Sequence, residues 1–429
     1  MESATTDSMD TVTARPALVR RLGTGDAVVV GLGAMIGAGV FAAFAPAARA
    51  AGAGLLLGLA AAAIVAYCNA TSSARLAARY PQSGGTYIYA GRQLGPFWGY
   101  LAGWAFVVGK TASCAAMAVT FASYAAPADL RLAAALAVVA LTALTMAGVE
   151  KSAWATRVIV VVVLAVLAAV IVAGLTSPTA STAHLTPFPG AGLHGILQSA
   201  GLLFFAFAGY ARIATLGEEV RDPRRTIPRA IAIALLITVV VYAAVALSAL
   251  IAIGAPALGA TTAPLRAVVD AGSATWLAPV VRAGGAVACL GSLLALLLGV
   301  SRTTLAMARD GHLPHALAVV PSSAGVPRYA SLAVGAVVLI LAVTVDLRAA
   351  IGFSSFGVLL YYGLANASAL TMRADEGRPP RWLPPLGLLG CALLAGSLPL
   401  VDIVAGAGVI VLGALAYAAT RQRRARMAP

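Results

Sequence analysis

The sequence predicts an all-α membrane protein with twelve transmembrane helices. Of the 429 residues, 61% are hydrophobic and only 10% are charged, and the mean hydropathy is +0.93. These values are typical of a polytopic membrane protein rather than a soluble one. Apolar stretches long enough to cross a bilayer recur along the chain, and the basic residues are concentrated in every second connection between them.

Residues 1–22 are polar and lack the apolar core of a signal peptide. Residues 1–24 form the predicted cytoplasmic N-terminal segment. Residues 420–429 form a predicted basic tail. The twelve predicted spans lie between these segments, at residues 25–50, 54–79, 97–124, 131–148, 155–175, 193–217, 229–254, 276–306, 329–345, 350–371, 383–397 and 399–419.

The distribution of basic residues tests this count. If the N-terminus is cytoplasmic, 22 of the 29 Lys and Arg residues lie on the cytoplasmic side and only four on the opposite side. This bias predicts a multi-pass protein of the plasma (inner) membrane with both termini in the cytoplasm. The net charge of +14 therefore does not indicate a nucleic-acid partner, because the basic residues anchor the topology in the lipid bilayer.

The first span contains an unusual glycine-rich motif. Four glycines occur in the nine residues 31–39, within an apolar run that is long enough to cross the membrane. Non-helical backbone is tolerated at this depth only where it lines a protein-walled cavity. The motif therefore predicts a broken helix, whose free N–H and C=O groups suit a zwitterion. The alternative is a continuous glycine-rich helix that packs closely on its neighbours, because Gly33 and Gly37 also form a Gly-x-x-x-Gly pattern.

Several ordered motifs resemble those of the amino acid–polyamine–organocation (APC) transporters. Residues 33–41 resemble the motif of the family's first helix, and residues 80–87 match its Tyr-Pro-x-Ser-Gly-Gly-x-Tyr loop. Residues 204–210 match its aromatic–small–aromatic stretch in helix 6, and residues 301–314 are the most diagnostic run. The resemblance covers residues 25 to 330.

The resemblance implies a leucine-transporter-like fold with broken helices 1 and 6. Two interrupted helices that lie five positions apart are the sign of a 5+5 inverted repeat, with the site between the two halves. The first repeat would comprise residues 25–175 (helices 1–5) and the second residues 193–371 (helices 6–10). Residues 383–419 (helices 11 and 12) lie outside the repeat, with a scaffolding role or a dimer contact as open alternatives.

The resemblance also implies a substrate site at the two interruptions, made of Ile36, Gly37, Ala38, Gly39, Phe204, Phe207, Ala208 and Tyr210. The backbone N–H groups of Ala38 and Gly39 would hold the substrate carboxylate. The carbonyl groups of Ile36, Phe207 and Tyr210 would hold its ammonium group.

The aromatic residues of helix 6 recur at three-residue intervals. Phe204, Phe207 and Tyr210 therefore share one face of the helix, and one of them is a candidate gate over the substrate. For Phe204, plain core packing is the alternative.

Two basic residues lie within predicted spans near the site. Lys110 is midway along helix 3, too deep for its side chain to extend easily to the membrane interface. Because burial disfavours its charged form, Lys110 can gain and lose a proton, and it is the candidate proton-coupling residue. The alternative is a structural lysine bound to carbonyl groups of a broken helix.

Arg212 remains charged at physiological pH and is a candidate for the inner gate or for a counter-charge to Glu218 or Glu219. Several relatives carry an acidic residue near this position, so Arg212 is a departure from the family.

The first functional hypothesis is proton-coupled amino acid import by alternating access. Lys110 and Arg212 disfavour cationic substrates, so a neutral or acidic amino acid is expected. The alternatives are an uncoupled amino acid exchanger, a carrier of another amine or of a nucleobase, and a transport-inactive sensor or assembly subunit. The sequence shows no catalytic or metal-binding constellation, and we expect no enzyme activity, metal or cofactor. It predicts nothing about oligomeric state.

Overall fold

The computed structural model describes residues 22–82, 84–148, 153–217, 219–320 and 326–427. In this part of the chain the regular structure is helical, and extended pairing is limited to one isolated bridge between Leu22 and Val220. The α-helices are α1 (Thr24–Met35), α2 (Ala38–Ala42), α3 (Phe44–Ala51), α4 (Leu55–Arg79), α5 (Thr86–Gln93), α6 (Pro96–Ala125), α7 (Leu130–Met146), α8 (Ala153–Leu175), α9 (Leu193–Phe207), α10 (Ala211–Ala214), α11 (Pro223–Ala260), α12 (Pro264–Asp270), α13 (Ala278–Arg309), α14 (Arg328–Thr344), α15 (Leu347–Leu370), α16 (Leu383–Gly396) and α17 (Leu400–Met427).

The prediction of an all-α membrane protein is confirmed for the described residues. Within them, ten helical segments are long and apolar enough to cross a membrane, and the shorter helices α14 and α16 are also apolar. The chain is therefore a multi-pass membrane protein.

Most helix boundaries lie within three residues of the predicted ones, but α17 continues to Met427 rather than ending at residue 419, and α11 extends beyond its prediction at both ends. It begins at Pro223 rather than at residue 229, because proline is well suited to the first turn of a helix. The predicted end at residue 254 corresponds to a kink, where Gly254 has a φ of 72°. Helical structure resumes at this point and continues through Pro256 to Ala260.

Helix α6 lies at the centre of the helical bundle. It packs against α15, α13, α7 and α14, and most of its residues from Gly99 to Tyr124 are buried. A side chain near the middle of α6 is therefore far from both ends of this helix and surrounded by its neighbours. Lys110 occupies this position, and its side chain is 6% exposed.

Arginine side chains hold helices together at one end of the bundle. The guanidinium group of Arg282, near the start of α13, donates hydrogen bonds of 2.9 Å to the carbonyl oxygens of Tyr124 and Ala125, where α6 ends. Arg49 of α3 donates bonds of 2.7 and 3.2 Å to Gly259 O near the end of α11. The last carbonyl groups of a helix lack intrahelical donors, so both arginines satisfy acceptors that would otherwise be unpaired.

At the opposite end, the start of α1 contacts two other segments. Arg157 of α8 forms an ion pair with Asp26 in the first turn of α1. Leu22 N donates a 3.1 Å bond to Glu219 O, and Arg221 N donates a 2.9 Å bond to Leu22 O. These contacts fix the beginning of α1 relative to α8 and to the segment that precedes α11.

Candidate transport site

The helix break predicted in the first span is present. α1 ends at Met35, because Ile36 (φ −82°, ψ 65°) and Gly37 (φ −127°, ψ −138°) both have non-helical backbone angles. Helical structure resumes at Ala38, and Ala43 keeps helical angles, so that α2 leads directly into α3. The N–H groups at the start of α2 are therefore those of a helix N-terminus.

The second interruption lies in the sixth predicted span. α9 ends at Phe207, a 3₁₀ turn spans Ala208–Tyr210, and α10 follows from Ala211. A 3₁₀ turn is a milder break than the unwound segment of the first span. It still changes the hydrogen-bond pattern from i→i+4 to i→i+3, which redirects backbone carbonyl groups.

The two interruptions are packed against each other, backbone against backbone. A methyl group added at Gly209 would lie 2.3 Å from Ala34 O and 2.6 Å from Met35 N. A methyl group added at Gly39 would lie 2.6 Å from the Cα atom of Ala206. Glycine is therefore required at both positions by close approach of the backbones.

Tyr242 of α11 connects the two interruptions. Its hydroxyl group lies 2.6 Å from Met35 O and 3.1 Å from Ala206 O, and its ring packs on that of Phe207 with the centroids 5.2 Å apart. The residue is fully buried. One phenol thus contacts carbonyl groups on both sides of the site.

We expect Tyr242→Phe to lower transport about tenfold and the free energy of unfolding by about 1–3 kcal/mol, because the buried carbonyl groups of Met35 and Ala206 lose the hydroxyl group whose single proton they share. Initial uptake rates and thermal unfolding of the purified protein measure the two effects. Tyr67→Phe is the matched control, because Tyr67 is 49% exposed on α4. Wild-type uptake by Tyr242→Phe would show that the bridging hydroxyl has no role in transport.

Lys110 contacts the second interruption. Its Nζ atom donates a 3.2 Å hydrogen bond to Ala208 O in the 3₁₀ turn. The hydroxyl group of Tyr362 on α15 donates a 3.1 Å bond to the same oxygen. Two donors from different helices therefore bind one buried carbonyl group of the broken span.

The aromatic residues of the sixth span are all buried. The ring of Tyr210 stacks on that of Tyr362 at a centroid distance of 4.7 Å, and Phe204 meets Tyr362 edge-to-face at 5.9 Å. Phe204 therefore packs in the core. Its partner Tyr362 donates a hydrogen bond to Ala208 O, the carbonyl oxygen that Lys110 also binds.

Two of the predicted charged residues, Arg212 and Glu219, follow the second interruption along the chain. Arg212, in α10, is half-buried and donates a 3.3 Å bond to Thr215 Oγ1. Glu219 contributes its backbone carbonyl to Leu22 N. Glu218 lies outside the described residues.

Sequence reasoning missed the two tyrosines that bind the interrupted segments, Tyr242 and Tyr362. Each lies in a long apolar span, where a buried phenol hydroxyl needs a hydrogen-bond partner. That polar group in an apolar helix was the available signal. The partner itself could not be read from the sequence, because Ala208 is 154 residues away from Tyr362.

Comparisons with known proteins show the family of the chain. The family model for amino acid permeases matches residues 26–423. An uncharacterized transporter of Mycobacterium tuberculosis is 63% identical over 411 residues, which cover 95% of this chain and 93% of that protein. The branched-chain amino acid permease BcaP of Bacillus subtilis is 25% identical (93% and 92% covered), and the human cationic amino acid transporter 4 is 28% identical (86% and 62% covered). The chain therefore belongs to the amino acid permease family of the APC superfamily.

Proposed function

We propose that this protein is a secondary active transporter that imports amino acids across the plasma membrane by alternating access, coupled to protons. The observation that carries the proposal is the contact between the two interrupted helices, with Lys110 bound to a carbonyl group of one of them. Family membership supports amino acid transport, and the contact supports a site where a zwitterion and a proton would bind together.

The proposed topology has twelve spans with both termini in the cytoplasm. It adds α14 and α16 to the ten long apolar segments. α14 has 17 residues and a length of about 25 Å, close to the ~30 Å thickness of the hydrocarbon core. Residues 25–175 and 193–371 would be the two inverted repeats, with residues 383–419 outside them.

The substrate would bind between the interruptions. The N–H groups of Ala38 and Gly39 at the start of α2 suit a carboxylate, and the carbonyl groups of Ile36, Phe207 and Tyr210 suit an ammonium group. Gly37, Phe204 and Ala208 complete the lining. The close backbone packing at Gly39 and Gly209 supports this assignment, because it requires both breaks to move together when access alternates.

The preferred substrate class is a neutral or acidic amino acid. Lys110 and Arg212 place two positive charges near the site, which disfavours a cationic side chain. The relative named a branched-chain amino acid permease is consistent with a neutral substrate. The relatives named cationic amino acid transporters favour the opposite choice, so competition by lysine and arginine must be part of any test.

The proposal is tested by uptake of a panel of labelled amino acids into proteoliposomes, with and without an inward proton gradient. We expect the labelled substrate to accumulate only when the proton gradient is present, and we expect neutral or acidic amino acids to inhibit its uptake. Inhibition by amines or nucleobases without inhibition by amino acids would contradict the substrate class. Uptake that requires an amino acid inside the proteoliposomes and does not depend on the proton gradient would identify an uncoupled exchanger instead.

The exchanger is the second candidate because Lys110 is bound to Ala208 O. A lysine that keeps its proton and this hydrogen bond throughout the cycle would act as a fixed structural cation, and no proton would then be carried by this group.

A further inference from the structure

The ammonium group of Lys110 is a buried cation with little to compensate its charge. Within the described part of the chain, Ala208 O is its one hydrogen-bond acceptor, and no Asp or Glu there lies within ion-pair distance of it. An ammonium group has three N–H donors, and buried charges in proteins are ordinarily paired.

The titratable groups that surround Lys110 do not supply this counter-charge. Cys114 lies one turn further along α6, Tyr362 of α15 shares the acceptor oxygen, and Tyr210 stacks on Tyr362. A thiol and two phenols are neutral at physiological pH. The described residues therefore leave the ammonium group in need of an anionic partner.

The residue type at this position is also unusual for the chain. Of its 29 basic residues, 27 are arginine and only Lys110 and Lys151 are lysine. Arginine cannot lose its proton in a protein, whereas a buried lysine can. A chain that uses arginine almost everywhere thus has a lysine, which can release its proton, at a buried position beside the site.

We propose that the ammonium form of Lys110 binds the carboxylate of the substrate, and that the carboxylate is released when Lys110 loses its proton. On release, an Nζ–H bond breaks, its electron pair stays on Nζ, and a water molecule takes the proton. This inference rests on the proposed function and deepens it. Proton and carboxylate bind at one atom, and each strengthens the binding of the other, which couples the two without a separate proton site.

A carboxylate can come from two parts of an amino acid. It is the α-carboxylate if Lys110 acts on every substrate, and the side-chain carboxylate if Lys110 selects acidic amino acids. In the second case the N–H groups of α2 hold the α-carboxylate. Glutamate and glutamine distinguish the two sources, because they differ only in the side-chain group.

The experiment measures equilibrium binding to the purified protein. The affinity for the best-bound of the twenty amino acids is compared with the affinity for the primary amine that has the same side chain but lacks the carboxyl group. Wild type should prefer the amino acid by about 100-fold, and Lys110→Met should lower this preference at least about tenfold. Lys151→Met is the matched control and should behave as wild type. A preference that is unchanged in Lys110→Met overturns the inference, although the proposed function then still stands.

The pH dependence provides a second test that does not rely on the folding of Lys110→Met. Binding by wild type should weaken as the pH rises, because the ammonium form is lost, whereas Lys110→Arg should keep its preference for the carboxylate at every pH. Binding that is independent of pH in wild type, or lost in a well-folded Lys110→Arg, overturns the inference. Failure of wild type to bind any amino acid contradicts the proposed function itself.

The two carboxylate sources give separate outcomes. If Lys110→Met weakens the binding of glutamate and glutamine equally, Lys110 binds the α-carboxylate. If it weakens glutamate alone, Lys110 binds the side-chain carboxylate and sets the specificity. Each result supports carboxylate binding by Lys110, and equal binding of both amino acids by Lys110→Met and wild type contradicts it.

Discussion

Replacing Gly209 with alanine is expected to reduce transport about 100-fold and to lower the free energy of unfolding by about 1–3 kcal/mol. The added methyl group would lie 2.3 Å from Ala34 O, 2.4 Å from Ala34 C and 2.6 Å from Met35 N. All three are backbone atoms, so no side-chain rotation can relieve the contact. The two interruptions must separate, and the carbonyl groups that Lys110 and Tyr242 bind are displaced with them.

Gly408→Ala is the matched control, because nothing lies within 4 Å of a methyl group at this position on α17. It should transport and unfold as wild type does. Gly37→Ala should have a milder effect than Gly209→Ala, since its nearest contact is the rotatable Ser292 Oγ at 1.9 Å. Initial uptake rates and thermal unfolding measure all three variants. Normal uptake by Gly209→Ala would show that the transport cycle does not need the close packing of the two breaks.

Replacing Lys110 with arginine is expected to abolish accumulation driven by a proton gradient while exchange is retained. In wild type, a carrier that moves one proton with each substrate should accumulate it about tenfold per unit of pH difference. Arginine keeps the positive charge that binds Ala208 O and a carboxylate, but it cannot release a proton. The arginine variant should therefore equilibrate the substrate without concentrating it.

Proteoliposomes measure both activities in one preparation, by steady-state uptake under a gradient and by counterflow against internal substrate. Lys151→Arg, at the chain's other lysine, is the control and should accumulate substrate as wild type does. If Lys110→Arg still concentrates the substrate, the transported proton is not carried at this position. If it loses counterflow as well as accumulation, the longer side chain has damaged the site, and the pH dependence of wild-type binding becomes the deciding measurement.

The sequence by itself was sufficient to predict the class of fold and the location of the first break. The composition and the lengths of the apolar stretches indicate membrane helices, because only α-helices and closed β-barrels can satisfy their backbone hydrogen bonds within a bilayer. The glycines at residues 31–39 predicted a break within this stretch, and the helix stops there, at Ile36 and Gly37. The depth of Lys110 followed from its position midway along a long apolar span. Each of these features depends on residues that are close together in the chain.

Only the tertiary structure decided what these residues contact. Lys110 lies 98 residues from Ala208, and Tyr242 lies 207 residues from Met35 and 36 from Ala206. The requirement for glycine at position 209 likewise arises from the backbone of Ala34 and Met35, which belong to another helix. Hydrogen-bond partners and close approaches of this kind depend on how helices that are distant in the sequence pack together. A local pattern of residues does not predict that packing.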